Sequence, residues 1–187
     1  MFEPYSGLRT RRPVLVFISG AARSGKSEWA ETYALSLADG KKLVYIATAR
    51  ADDPEMRRRV ALHQASRRDK GFETLERYTG VGGVVSQISL DSTVLLECLG
   101  TLLANEMFSD SPLFNVRKIF DDVLSLRARA ANLLVVSNDI FSDGISYDEL
   151  TEKYRQALGA LHVMLAGAAD LAVECVAGQS VFHRSGR

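Results

Sequence analysis

"SGAARSGKSEWAE", residues 19–31, follows the apolar run Val14–Ile18 and opens a segment in which Trp29, Tyr33 and Leu37 recur every four residues. Within it, Gly20, Ala21, Ala22, Arg23, Ser24, Gly25, Lys26 and Ser27 satisfy G-x-x-x-x-G-K-[ST] in full, with a strand signal before and a helix signal after. The chemistry needs those residue types at that spacing. Glycines let the backbone turn tightly enough to aim successive N–H groups at a β-phosphate, and the helix start adds its positive end. Lys26 has the reach to meet β and γ oxygens, and the Ser27 hydroxyl is a ligand for Mg²⁺. The alternative is a chance glycine turn with a solvated lysine, which leaves the strand and helix in register unexplained.

Working outward, short apolar runs recur with helix-like segments between them: "PVLVFI", "KLVYIATA", "FETLE", "TVLLECL", "NLLVVSN" and "DLAVECV". Strands alternating with helices specify βαβ units and a mostly parallel sheet covered on both faces. The expected fold is therefore α/β, one P-loop NTPase (RecA-like) domain over residues 13–187, with residues 1–12 a disordered extension. Trp29, Tyr33 and Leu37, with Ala30 and Ala34 beside them, predict the sheet-facing side of the first helix, ended by Gly40. In "ADDPEMRRRVALHQASRR", Asp52 or Asp53 is a cap, Pro54 suits the first helical position, and a helix runs from about Pro54 to Arg68. In "GISYDELTEKYRQALGALHVMLAGAAD", Ser146 and Glu149 have capping-box spacing, and Leu150, Tyr154, Leu158, Leu161 and Leu165 form a core stripe. Residues 107–115 and 137–148 read as loops.

Composition narrows the partners. Among 187 residues, 23 Lys and Arg balance 23 Asp and Glu, so no global field recruits nucleic acid or an anionic membrane, and anion binding must be local. Cys98 and Cys175 lie in apolar strand-like runs without metal-ligand spacing, which fits a reduced, cytoplasmic setting. The opening "MFEPYSGLRTRR" has no apolar core of a leader, and no run approaches a membrane span.

Two further residues carry chemistry. A P-loop site calls for an acid at the end of a nearby strand to complete the magnesium shell, and Glu97 in "VLLECL" is the candidate; a strand-end glutamate turned to solvent is the other reading. On the helix after "YIATA", Met56, Val60, His63 and Arg67 share one face, with Arg59 one turn before the histidine and Arg67 one turn after. Flanking guanidiniums disfavour imidazolium and bring charge to a phosphate, which suits His63 to attack on phosphorus. An edge-of-core histidine gives the same periodicity. His162 and His183 read as structural or surface residues.

With these residues in place the sequence resembles the bifunctional adenosylcobinamide kinase / adenosylcobinamide-phosphate guanylyltransferase family of cobalamin assembly, over roughly Leu15 to Gly178. "SGAARSGKSEWAE" looks like that family's nucleotide loop. "YIATA" followed by "DPEMRRRVALH" is similar to the segment ending in the histidine that becomes guanylylated, here His63. "GFETLE" resembles a stretch in which a tryptophan usually precedes Thr and Glu; Phe72 replaces the indole, and Thr74 and Glu76 match. "VLLECLGTLLANEMF" resembles the strand and helix carrying the metal-associated acid, Glu97, and the matched Asn105. "VVSNDIFSDG" is similar to a variant Asn-acid loop with Asn138, Asp139 and Gly144. The chain departs at His162 and Val163, where the family usually has Asn-Gln or Asn-Arg, and at "AGQSVFHRSGR" in place of a Gly-Ile-Pro ending.

The resemblance implies phosphorylation of the aminopropanol hydroxyl of adenosylcobinamide, then attack by the His63 imidazole on the α-phosphate of GTP, and transfer of GMP to adenosylcobinamide phosphate. It implies GTP, ATP and Mg²⁺ as cofactors, with Lys26 and loop N–H groups stabilising phosphate charge. By the same analogy Thr48, Ala49, Arg50, Gln64 and Glu76 are candidates for holding guanine and ribose, Ser27 and Glu97 for the metal, and the protein is expected to be a homo-oligomer, a trimer. Two other readings stay open: a P-loop kinase of another small alcohol, and a nucleotide- or corrinoid-binding protein without turnover. A signalling GTPase is disfavoured because no Asn-Lys-x-Asp motif occurs.

Overall fold

All six apolar runs form strands; the β-branched and aliphatic side chains of the inner five fit a surface buried on both faces, while "FETLE" forms an edge strand with Glu73, Thr74 and Glu76 exposed. In the computed structural model, which describes residues 14–50, 54–109, 114–141 and 144–185, these are β1 (Val14–Gly20), β2 (Leu43–Ala47), β3 (Phe72–Glu76), β4 (Thr93–Glu97), β5 (Asn132–Asn138) and β6 (Leu171–Val176). They pair in parallel in the order β3-β2-β4-β5-β1-β6, and β7 (Gln179–Ser185) closes the edge antiparallel to β6. The expected extension over residues 1–12 and the expected caps Asp52 and Asp53 lie outside the described residues. Among the described residues no helix is long and apolar enough to cross a membrane.

Strand alternation sorts the core into two layers. Val14, Val16 and Ile18 of β1 face α1 (Lys26–Ala38), whereas Leu15 and Phe17 face α3 (Leu99–Met107), α4 (Val116–Arg129) and α5 (Glu149–Ala168) through buried Leu102, Val123, Leu158 and Leu161. Each such side chain removed from water contributes about 1.5–3 kcal/mol, so stability concentrates in β1, β4 and β5. Position follows from that rigidity: the carboxyl ends of these strands are the best-held points in the chain.

The structure alters several expectations. The face of α1 against the sheet is Ala30, Ala34 and Ala38, at most 2% exposed; Trp29, Tyr33 and Leu37 lie on its flank, with Trp29 stacked on Tyr33 at 4.8 Å. Three small residues let the helix lie close to the strands, which the larger side chains would prevent. The helix runs to Ala38 and is stopped, as expected, at Gly40 (φ 78°), which follows a left-handed Asp39 (φ 49°). At α5 the cap is Asp148, whose carboxylate accepts from Leu150 N and Thr151 N, both at 3.0 Å, and not the Ser146–Glu149 box. Leu150 consequently faces solvent at 54% exposure, and the stripe that is buried is Leu158, Leu161 and Leu165.

The fourth helix and the last strand were not read from sequence. Asn115 caps α4 by accepting from Arg117 N at 2.8 Å, and Ile119, Phe120, Val123 and Leu126 give it a buried face. The hairpin β6–β7 turns at Ala177 and Gly178, both at positive φ (48° and 80°). That geometry suits tight hairpins, but Ala-Gly is a weaker signal than Asn-Gly.

Candidate nucleotide site

Parallel strands present their carboxyl ends along one edge, and that is where the candidate residues collect. Gly20 is in register with Asn138, and Glu97, Ala47 and Glu76 lie abreast on β4, β2 and β3. The loop from Gly20 to Gly25 leaves β1 and enters α1. Ser24 N donates to Ala21 O at 3.2 Å, Arg23 and Gly25 take left-handed φ of 60° and 88°, and no side chain caps the helix start. Successive amides in such a turn converge on a concavity suited to phosphate. Ala21, Ala22 and Arg23 are exposed, and Ser24 is buried.

The C-terminal hairpin braces this loop. Gly178 N donates to Ser24 O at 3.1 Å, and a Cβ placed on Gly20 would lie 2.5 Å from Cys175 O and 2.6 Å from Ser24 Oγ. The Ser24 hydroxyl can rotate, but the carbonyl of Cys175 belongs to the sheet and cannot yield without shifting β6. Gly20→Ala is therefore expected to cost about 2–3 kcal/mol by overpacking, and to lower Tm by roughly 4–12 °C. Thermal unfolding, with triphosphate affinity measured alongside, checks this; an unchanged Tm would mean that the loop is not held against β6.

Lys26, 7% exposed, lies over the loop with Nζ donating to Ala21 O at 3.0 Å. Ser27 Oγ donates a very short hydrogen bond to Glu97 Oε1, and Tyr45 OH donates to Glu97 Oε2 at 3.2 Å. Of the two readings of Glu97, the structure favours the acid turned toward the loop. A hydroxyl and a carboxylate oxygen in contact at a helix start are hard oxygen donors, and they fit a magnesium ion that keeps phosphate and water as its other ligands. Burial first, then the Glu97 carboxylate, pushes the Tyr45 phenol well above its usual range, so it stays a donor.

Beyond β2, Thr48 is completely buried. Its backbone N donates to Glu97 O at 3.1 Å, its Oγ1 accepts from Cys98 N at 2.7 Å and donates to Cys98 O at 2.9 Å. This residue fixes the strand ends, so that half-buried Ala49 and exposed Arg50 are the ones open to the edge. Asn105 Nδ2 donates to Thr48 O at 2.8 Å and to Tyr78 O at 3.0 Å, joining the segments after β2 and β3. Arg50 stands 5.6 Å over the Tyr78 ring, and Tyr78 OH donates to Glu76 Oε2 at 2.7 Å. Sequence reasoning passed over Tyr45 and Tyr78; aromatics in "YIATA" and "ERYTG", beside motif residues, were the available signal.

His63 and exposed Gln64 belong to α2 (Pro54–Arg67), the helix entered from β2. Arg67 does not stand as a phosphate-facing cation: it is 5% exposed, and its guanidinium lies 3.5 Å over the Tyr45 ring, 3.9 Å from Glu31 Oε1. The pull of an aromatic face and a buried carboxylate outweighs the phosphate-facing role its spacing suggested.

Of the other histidines, exposed His183 meets Glu174 at 2.8 Å. His162 packs edge-on against Phe17 and Phe141, and its Nε2 is 2.7 Å from Ser137 Oγ. Burial lowers its pKa to about 4, against a smaller raising effect of Asp139. A histidine whose folded pKa lies below its unfolded value of about 6.5 keeps its full contribution above that value and loses it as pH falls toward 4. Stability is expected to drop by up to about 2 kcal/mol between pH 7 and pH 5 from this group. Urea denaturation at both values, with His162→Gln removing the difference, checks the assignment.

Comparison with known proteins places these features. Residues 16–182 match the family CobU, cobinamide kinase / cobinamide phosphate guanyltransferase. The bifunctional adenosylcobalamin biosynthesis protein CobP of Pseudomonas aeruginosa is 34% identical over 164 residues, 86% of this chain and 92% of that protein. The corresponding protein CobU of Salmonella typhimurium is 26% identical over 84% of this chain and 92% of its own length. In fold, the chain resembles the flagellar accessory protein FlaH from Methanocaldococcus jannaschii (TM-score 0.55, 12% identity, 94% of this chain and 80% of that one). It also resembles the ATPase domain of the protein G40P (TM-score 0.50, 14% identity, 88% and 70%).

Proposed function

This chain belongs to the cobinamide kinase / cobinamide phosphate guanyltransferase family, and from that premise we propose that it phosphorylates adenosylcobinamide and then transfers GMP from GTP to the resulting phosphate. Supporting this is the contact of Ser27 and Glu97 beside Lys26 at the start of α1, with the loop amides facing the same edge.

In the first reaction the aminopropanol hydroxyl attacks the γ-phosphorus of ATP or GTP, its proton is lost, and the bond to the bridging oxygen breaks to release the diphosphate. Lys26 and the loop N–H groups hold the β- and γ-oxygens as charge builds on the leaving group. Ser27 and Glu97 would hold Mg²⁺, which when bound neutralises phosphate charge. In the second, an imidazole nitrogen of His63 attacks the α-phosphorus of GTP; a P–N bond forms and pyrophosphate leaves. An oxygen of adenosylcobinamide phosphate then attacks that phosphorus, the P–N bond breaks, and adenosylcobinamide-GDP is released with the imidazole restored. Splitting the transfer through a phosphoramidate replaces one hard step by two easier ones. Arg50, Ala49, Gln64 and Glu76 line the approach for guanine and ribose, where a carboxylate accepts from guanine N1 and N2 hydrogens that adenine lacks.

The use of cytosolic triphosphates and the absence of paired cysteines in the sequence support a cytoplasmic enzyme, and the family resemblance supports a homo-oligomer, a trimer. Intact mass after incubation with GTP and magnesium tests the reading: the protein gains one GMP and releases one pyrophosphate. No gain, with γ-phosphoryl transfer to adenosylcobinamide intact, would reduce the protein to a kinase.

A further inference from the structure

Arg67 is the most deeply buried cation outside the phosphate loop among the described residues, and nothing in the reaction above uses it. Its Nε and Nη1 are buried without a hydrogen-bond partner. A buried guanidinium that leaves donors unmet is costly, and a methionine or leucine in its place would avoid the cost. Two partners hold it. One is the face of Tyr45 at 3.5 Å; the other is Glu31 of α1, 3% exposed, whose second oxygen accepts from Lys70 Nζ at 2.5 Å. Both partners belong to the nucleotide site's framework: Glu31 is one turn along α1 from Ser27, and Tyr45 grips Glu97 through its hydroxyl.

Arg67 closes α2, exactly one helical turn after His63 in sequence spacing, so the backbone that carries the histidine is anchored where Arg67 is anchored. A lysine cannot substitute, because a compact hydrated ammonium does not stack flat on a ring. We propose that Arg67 is a positioning residue for guanylyl transfer: clamped between Tyr45 and Glu31, it docks α2 on the triphosphate site and sets the approach of His63 to the α-phosphorus. This rests on the function proposed above. It assigns Arg67 no part in γ-phosphoryl transfer, which relies on Lys26, Ser27 and Glu97.

The test separates those two reactions. Arg67→Met keeps the volume and leaves Glu31 paired with Lys70; Arg67→Lys keeps the charge. In both, the rate of GMP uptake from GTP is expected to fall about 10- to 100-fold, the scale of a displacement near one ångström. γ-Phosphoryl transfer to adenosylcobinamide stays within about threefold of wild type, and amide exchange over residues 54–67 quickens relative to β1 and β4. GMP uptake at the wild-type rate in both variants overturns the proposal, and so does an equal fall in both reactions, which marks a general structural role. If the wild-type chain takes up no GMP, the proposed function fails instead; the docking is then decided by exchange alone, and unchanged protection of residues 54–67 in Arg67→Met overturns it.

Discussion

His63→Ala will carry no GMP after incubation with GTP and magnesium, and its guanylyl transfer will fall by roughly four or more orders of magnitude, as when a covalent nucleophile is deleted. Alanine supplies no electron pair for phosphorus, and direct attack by the acceptor phosphate would have to proceed in one step between two anions. The same variant keeps γ-phosphoryl transfer, because Lys26 and Ser27 lie on α1 and Glu97 on β4, and the loop and the Ser27–Glu97 contact are built outside α2. Intact mass and a coupled kinase assay on one preparation read both halves. A GMP adduct that survives in His63→Ala would move the nucleophile elsewhere and sink this part of the mechanism.

Lys26→Ala is expected to remove both activities together. Its ammonium is the buried cation seated over the loop, and a preorganised cation at developing phosphate charge contributes about 10²–10³ or more in rate for each group lost. Because Nζ meets Ala21 O at 3.0 Å, the lysine also ties the loop to itself, so triphosphate affinity should weaken as well. Steady-state kinetics would show kcat for phosphoryl transfer down by at least about 100-fold. Pyrophosphate release in the presence of the corrinoid phosphate would fall with it. A variant with kcat near wild type and only KM raised would limit Lys26 to binding.

Much of this was legible beforehand, for physical reasons. Five of the six parallel strands announced themselves because buried-on-both-faces strands are continuous apolar runs, and the phosphate loop because few residue types can make its turn. What escaped were contacts made across long separations. Tyr45 reads as one more core residue of β2 until Glu97, 52 positions later, is seen to accept from its hydroxyl while taking Ser27 Oγ on the other oxygen. Arg67 looked like a cation offered to a phosphate because helical spacing reports which residues share a face, not what that face meets. The cap of α5 was misplaced by two residues since Ser146 and Asp148 are both good caps, and only the backbone decides between them.

The brace between Gly178 and Ser24 also bears on how the protein comes into being. Leu15 N donates to Asp170 Oδ2 across 155 positions, and β6 completes the pairing of β1. A ribosome must therefore deliver the chain through Leu171 and beyond before the first strand gains its second neighbour, a topology that favours slow folding and exposes an unpaired edge meanwhile. Competence to hold a triphosphate waits for β6 and the turn after it, so a nascent chain stalled before Leu171 would offer chaperones a ready-made hydrophobic margin and no nucleotide to steady it.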